Sequence, residues 1–244
     1  MMNHITIEAL KEVYPEIRPY VVTRAGFAGL QRYASSWSGD NVTSWKTIKF
    51  NLATMLNIGL SGVANYGSDI GGFWGPAPSG ELLARWVQNG VFHPRFSIHS
   101  CNSDNTVTEP WMHPQYTHYI RQAMELRGRL LPYLYSLLYE SSTIGSPIIR
   151  PLLYHFQHDD CVYDEYETFM LGPYLLVSTV IHPLEEAPTK QIYFPTGCSW
   201  YKWGQSREKV QGGSTVTIKN LTLESVPLFF RDRAVIPTES ASKR

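Results

Sequence analysis

The sequence predicts an α/β unit followed by an all-β module, and three observations carry that reading. Up to about residue 145, apolar residues at helical spacing alternate with short apolar runs of strand length, and polar residues gather after each run. Beyond that point the runs shorten and are separated by Gly, Pro and Ser, as in a small antiparallel sandwich. The 244 residues are 43% hydrophobic, which is ample for a globular core of one large domain or two ordinary ones. The division is expected near Pro173–Ser178, giving units of residues 1–172 and 173–244.

In chain order, residues 5–17 read as a short amphipathic helix stopped near Pro15. Tyr20-Val21-Val22-Thr23 reads as a buried strand, and Arg24 to Asp40 loses all periodicity and reads as a loop. A helix over Asn41–Gly59 follows from the spacing of Ile48, Leu52, Met55 and Leu56, with Gly59 as its stop. Leu60 to Tyr66 reads as a glycine-loosened strand and Gly67 to Phe73 as a loop. Pro78 to Gly90 is a helix capped by Ser79, and Phe92 to His99 is strand-like. Cys101 to Pro114 is polar and irregular, and Tyr116 to Ser142 is the longest helix, which Pro132 should kink or split. The later strands are Ile148-Ile149, Leu152-Leu153, Leu175 to Val177, Gln191 to Phe194, Val216 to Ile218 and Val226 to Phe230.

Composition narrows the function classes. Lys+Arg and Asp+Glu each count 21, so no electrostatic argument favours nucleic acid or an anionic membrane as partner. No run of apolar residues is long enough for a membrane span. Cys101, Cys161 and Cys198 are odd in number and widely spaced, which fits reduced thiols better than a disulfide framework or a zinc site. His93, His113 and His118 show no metal-ligand spacing with carboxylates and are expected to be structural. With no signal-like or transit-like N-terminus, the expectation is a soluble, cytoplasmic protein without metal or cofactor.

The Arg24–Asp40 loop is the candidate site. It holds two arginines, the aromatics Phe27, Tyr33 and Trp37, and the carboxylate Asp40. That mixture suits a polar, ring-shaped ligand, and a loop following a strand is where parallel α/β proteins carry their chemistry. On its residues alone, Asp40 is either a proton-transferring acid or a cap for the next helix. Asp69, between Gly67 and Gly71-Gly72, is either a ligand contact reached over bare backbone or part of an ordinary turn. Arg24 alone reads as a salt-bridged loop arginine, His99 as a core or rim histidine, and Trp37 and Phe73 as core aromatics.

The set allows more than its members. TRAGFAGLQRYASSWSGDN, Asp69-Ile70-Gly71-Gly72-Phe73 and ELLARWVQNGVFHPRFSIH, followed by LRGRLLPYLYSLLYE, FMLGPYLLVSTV and VPLFFRDRAVIP, resemble glycoside hydrolase family 31. The resemblance covers residues 17 to 237. It implies a retaining α-glycosidase, here the C-terminal part of a (β/α)8 barrel followed by an antiparallel β-sandwich, acting on an oligosaccharide or α-glycoside. Such enzymes place a nucleophile and an acid/base carboxylate about 5 Å apart. Asp40 matches the acid/base, which needs desolvation, expected here from Trp37, and a neighbouring nucleophile to stay protonated near neutral pH. Arg24, Asp69 and His99 match residues that bind sugar hydroxyls, and Trp37 and Phe73 match aromatic walls.

Where the sequence departs from the family is equally informative. Residues 1–23 contain nothing like the Trp-x-Asp-Met-Asn motif of the nucleophile. Gly128 stands where the family usually has an aromatic, Arg233 where it usually has glycine, and Cys101 where some relatives have Trp; we take these as signs of relaxed constraint. A fragment of a barrel exposes strand edges, so the chain is expected to pair with a complementary N-terminal fragment or with itself, and to be inactive alone. The alternatives are a non-catalytic carbohydrate-binding remnant and a non-functional truncation.

Overall fold

The computed structural model describes residues 1–239. Helix α1 (Met2–Val13) comes first and buries none of its residues. The parallel part is built from β1 (Ser36–Trp37), α2 (Trp45–Leu60), β2 (Tyr66–Ile70), the short β3 (Trp74–Gly75), α3 (Gly80–Gly90), β4 (Arg95–Ile98) and the short β5 (Cys101–Asn102). Strands β1, β2 and β4 lie side by side in that order, all parallel, while β3 pairs with β5. A single parallel bridge from Val22 to Ser35 adds a fourth position beyond β1. Helix α4 (Thr117–Ile144) follows and runs through Pro132 as one element.

The β module contains β6 (Ile149–Pro151), β7 (Phe169–Leu171), β8 (Leu175–Val177), β9 (Lys190–Phe194), β10 (Ser199–Lys202), β11 (Gln205–Gln211), β12 (Ser214–Ile218) and β13 (Leu228–Arg231). Six of these form one antiparallel sheet, ordered β11-β10-β13-β8-β7-β6, and β9 pairs with β12. The six-stranded sheet is a middle layer. Phe169, Leu171, Leu175, Val177 and Leu228 join the core that includes α2, α3 and α4. Their alternates Met170, Leu176 and Phe229 face the other way, onto Ile192 and Phe194 of β9 and Trp200 of β10. The two-residue side-chain period of a strand thus puts one face on the helices and the other on the second sheet.

Polar contacts add to this join. Arg85 of α3 is fully buried and donates through Nη1 to the Ser225 carbonyl (3.0 Å) and Gln88 Oε1 (2.8 Å), and through Nη2 to the Thr222 carbonyl (2.8 Å). Gln88 Nε2 donates to the Leu223 carbonyl at 2.6 Å. His93, also fully buried, is pushed down to about 3 by burial and by Arg127, and its Nε2 lies 2.8 Å from Asn89 Oδ1. His113 Nε2 meets the Pro78 carbonyl at 2.8 Å.

Several expectations need correction. Tyr20–Thr23 is not a buried strand: it makes one bridge, with Tyr20 66% and Val22 37% exposed. The Arg24–Asp40 segment is not all loop, since Leu30–Arg32 forms a 3-10 turn and Ser36–Trp37 is the strand β1. Leu60 ends α2, Gly59 is buried inside that helix, and the strand expected over Leu60–Tyr66 instead begins at Tyr66 and includes Asp69. Leu152–Tyr154 is a 3-10 turn rather than a strand, and β10 and β11 were not anticipated. Pro132 does not split α4; the carbonyl its ring crowds belongs to Gly128, the helix's one glycine. The six-stranded sheet already starts at Ile149, so it crosses the division expected at residues 172/173.

Candidate functional site

Asp40 lies three residues past the end of β1. Gly39 makes the turn with φ 75°, and a Cβ there would stand 3.1 Å from Arg24 Cδ, so the glycine leaves room for the arginine stem. Arg24 Nη1 donates to Asp40 Oδ2 at 3.1 Å. The two side chains are 60% and 50% exposed, so Trp37 does not supply the expected desolvation of Asp40. Nor is Asp40 a helix cap: Ser44 caps α2, its Oγ accepting from the Thr47 amide at 3.1 Å.

Asp69 is the buried member of the set. It belongs to β2 and is 0% exposed. Its Oδ1 is 3.5 Å from Arg95 Nη1, and its Oδ2 is buried without a hydrogen-bond partner. The indole Nε1 of Trp37 is likewise buried and unpartnered. Burial pushes the Asp69 carboxyl above its ordinary range, and Arg95, His99 and the Trp37 indole N–H each act against that shift. The glycines around Asp69 serve packing within the protein rather than approach to a ligand. A Cβ on Gly67 would strike the Arg95 carbonyl of the paired strand, and one on Gly72, at φ 85°, would strike Thr43.

Phe73 and His99 follow β2 and β4, and their rings sit 5.2 Å apart, tilted by 43°. His99 is exposed and Phe73 half-buried. The backbone ties these segments together where the Cys101 amide donates to the Phe73 carbonyl at 2.7 Å. The six candidate residues therefore fall into three contacts: Arg24 with Asp40, Trp37 and Asp69 through Arg95, and Phe73 with His99. Five of the six come from segments at or beyond the C-terminal ends of neighbouring parallel strands, and Arg24 follows the Val22 bridge. Arg95 went unnoticed in the sequence; strand alternation from Ser97, the register partner of Asp69, is the signal that would have found it.

Comparison with known proteins gives this arrangement its context. Residues 1–137 match the family model described as the glycosyl hydrolases family 31 TIM-barrel domain, and residues 145–236 match the family 31 C-terminal domain. "Alpha-glucosidase 2" of Bacillus thermoamyloliquefaciens is 37% identical over 97% of this chain and 29% of its own length. "Alpha-xylosidase" of Saccharolobus solfataricus is 38% identical over 90% of this chain and 30% of its own. Among solved structures, the family 31 dextranase of Flavobacterium johnsoniae, complexed with glucose, superposes with a TM-score of 0.89 at 31% identity, over 97% of this chain and 30% of that one. The chain thus spans about 30% of the length of these relatives. Its parallel part is the C-terminal half of a TIM barrel, its β module is the domain that follows that barrel, and the chain belongs to glycoside hydrolase family 31.

Proposed function

We propose that this chain carries the sugar-binding and acid/base side of a retaining α-glycosidase site for terminal α-linked glucose or a related sugar. Asp40 is the acid/base: it protonates the departing glycosidic oxygen and then takes a proton from the water that resolves the glycosyl-enzyme. Arg24, Asp69 and His99 bind hydroxyls of the sugar, and Trp37 and Phe73 pack on its apolar face. The observation that carries this reading is Asp69 Oδ2, a buried carboxylate oxygen with no partner within hydrogen-bond distance in the protein. Such atoms are costly unless a ligand meets them, and a site built this way discriminates strongly against analogues that lack the matching hydroxyl.

Asp40 contacts a cation here, not a second carboxylate, and half of its side-chain surface is open. The nucleophile and the cover over Asp40 therefore come from an α/β segment that completes the sheet at its two open edges, β4 and the Val22 side. Without that segment the chain binds sugar but does not turn it over. In the test, purified 1–244 is incubated with nitrophenyl α-glucoside and α-xyloside, and glucose and isomaltose binding is followed by calorimetry. No hydrolysis and a binding signal abolished in Asp69→Ala are expected. Turnover that is lost in Asp40→Asn would refute the dependence on a second segment, and binding unchanged in Asp69→Ala would refute the site.

A further inference from the structure

Arg95, a residue the proposed function leaves without a role, occupies the centre of the site's geometry. The strand register sets Trp37, Gly67 and Arg95 at one level across β1, β2 and β4, with Asp69 and Ser97 paired one step of the alternation above. Gly67 offers no side chain at that level, so the guanidinium reaches across the middle strand and lies 5.3 Å from the centre of the Trp37 ring. The same guanidinium touches Asp69 Oδ1 through one nitrogen, at 3.5 Å. A structural arginine–carboxylate pair commonly closes as a fork on both oxygens. This one is long and single, and it leaves Oδ2 buried without a hydrogen-bond partner.

We propose that Arg95 is the positioning residue of the sugar site: lying against the Trp37 ring, it holds Asp69 through Oδ1 alone and so leaves Oδ2 uncommitted for a ligand hydroxyl. Attraction between the cation and the indole ring favours the position in which the guanidinium meets only one carboxylate oxygen. The groups that face Asp69 are Arg95 from β4, His99 just past it, and the Trp37 indole from β1. Arg95 is the one permanent charge among them, and its side chain is only 15% exposed, so solvent screens it little. The inference rests on the sugar-site reading of Asp69 and adds the residue that sets that carboxylate's state.

The test uses full-length 1–244 and its Arg95→Met, Arg95→Gln and Arg95→Lys variants. Carbon NMR follows the Asp69 carboxyl through a pH titration, with the signal assigned by its loss in Asp69→Asn, and calorimetry follows glucose binding at neutral pH. Removing the charge should move the Asp69 midpoint up by about 1 to 3 units, the usual effect of a neighbouring arginine on an aspartate. Glucose binding should weaken by about tenfold or more, the worth of one charge-assisted hydrogen bond. Arg95→Lys should return the midpoint toward wild type, and if Arg95→Met does not fold, Arg95→Gln carries the measurement. An unchanged midpoint in the neutral variants, or a shifted midpoint with unchanged glucose binding, overturns the proposal. If wild type binds no glucose while the midpoint still moves, the sugar-site reading fails and the control of Asp69 by Arg95 stands.

Discussion

Replacing Asp69 by asparagine should raise the stability of the chain at neutral pH and remove its sugar binding. Asp69 is fully buried, has one long contact to Arg95, and leaves one oxygen unpartnered. Its folded carboxyl titrates above the ordinary range because burial outweighs the help of Arg95, His99 and Trp37. The sign follows from linkage. Below the ordinary aspartate range, about pH 3.9, both folded and unfolded chains carry the protonated acid and the group contributes its full stability. As pH rises through the raised folded midpoint, the unfolded chain releases its proton first, and that stability is lost. Asparagine keeps the shape without the charge, so the variant should match wild type at low pH and exceed it at pH 7 by the cost of ionising the buried acid. Urea unfolding followed by circular dichroism, repeated from pH 3.5 to 8, measures the difference. A gap that stays flat with pH, or that favours wild type at neutral pH, would show that Asp69 is satisfied by the protein itself and is not held ready for a ligand.

The other predictions concern the frame around the site. Arg85→Met should cost about 3 kcal/mol in urea unfolding: three bonds from a charged donor are worth roughly 1.5–3 kcal/mol each, and the burial that pulls Arg85 down to about 10 takes back roughly 3 kcal/mol of that. A loss below about 1 kcal/mol would mean that Arg85 does not couple α3 to the β module. Lowering the pH from about 6.5 toward 3 should destabilise the chain through His93, which is neutral when folded but takes a proton when unfolded. His93→Gln should flatten that part of the stability profile, and an equally steep profile would remove His93 from the account. Gly128→Ala should add about 1 kcal/mol, since helix propensity improves and a Cβ there meets nothing within 4 Å; a lower melting temperature would refute it.

The departures from the family pattern differ in their structural consequences. Arg233 has φ 64°, so its side chain sits on left-handed backbone that glycine adopts without cost. Gly128 opens onto empty space, with nothing within 4 Å of where a Cβ would stand. Cys101 is exposed within β5, and nothing in the structure explains its replacement of tryptophan.

What the sequence determined by itself was the run of the three main helices, the Ser79 cap at the start of α3 and the change of texture near residue 145, while the grouping of Arg24, Trp37, Asp40, Asp69, Phe73 and His99 came from the resemblance to the family. Those features are local: periodicity, capping chemistry and motif spacing are written along the chain. Strand identity was less legible, because a two-residue strand such as Ser36–Trp37 has no period to detect, and Tyr66–Ile70 is buried on both faces and shows no alternation. Only the tertiary structure decided which carboxylate is buried. Asp69, which looked like a loop residue, lies buried in β2, while Asp40 lies open against Arg24. The role of Arg95 was equally out of reach. It depends on three strands being brought to one level across a glycine, and that juxtaposition is set by sheet register rather than by any spacing in the chain.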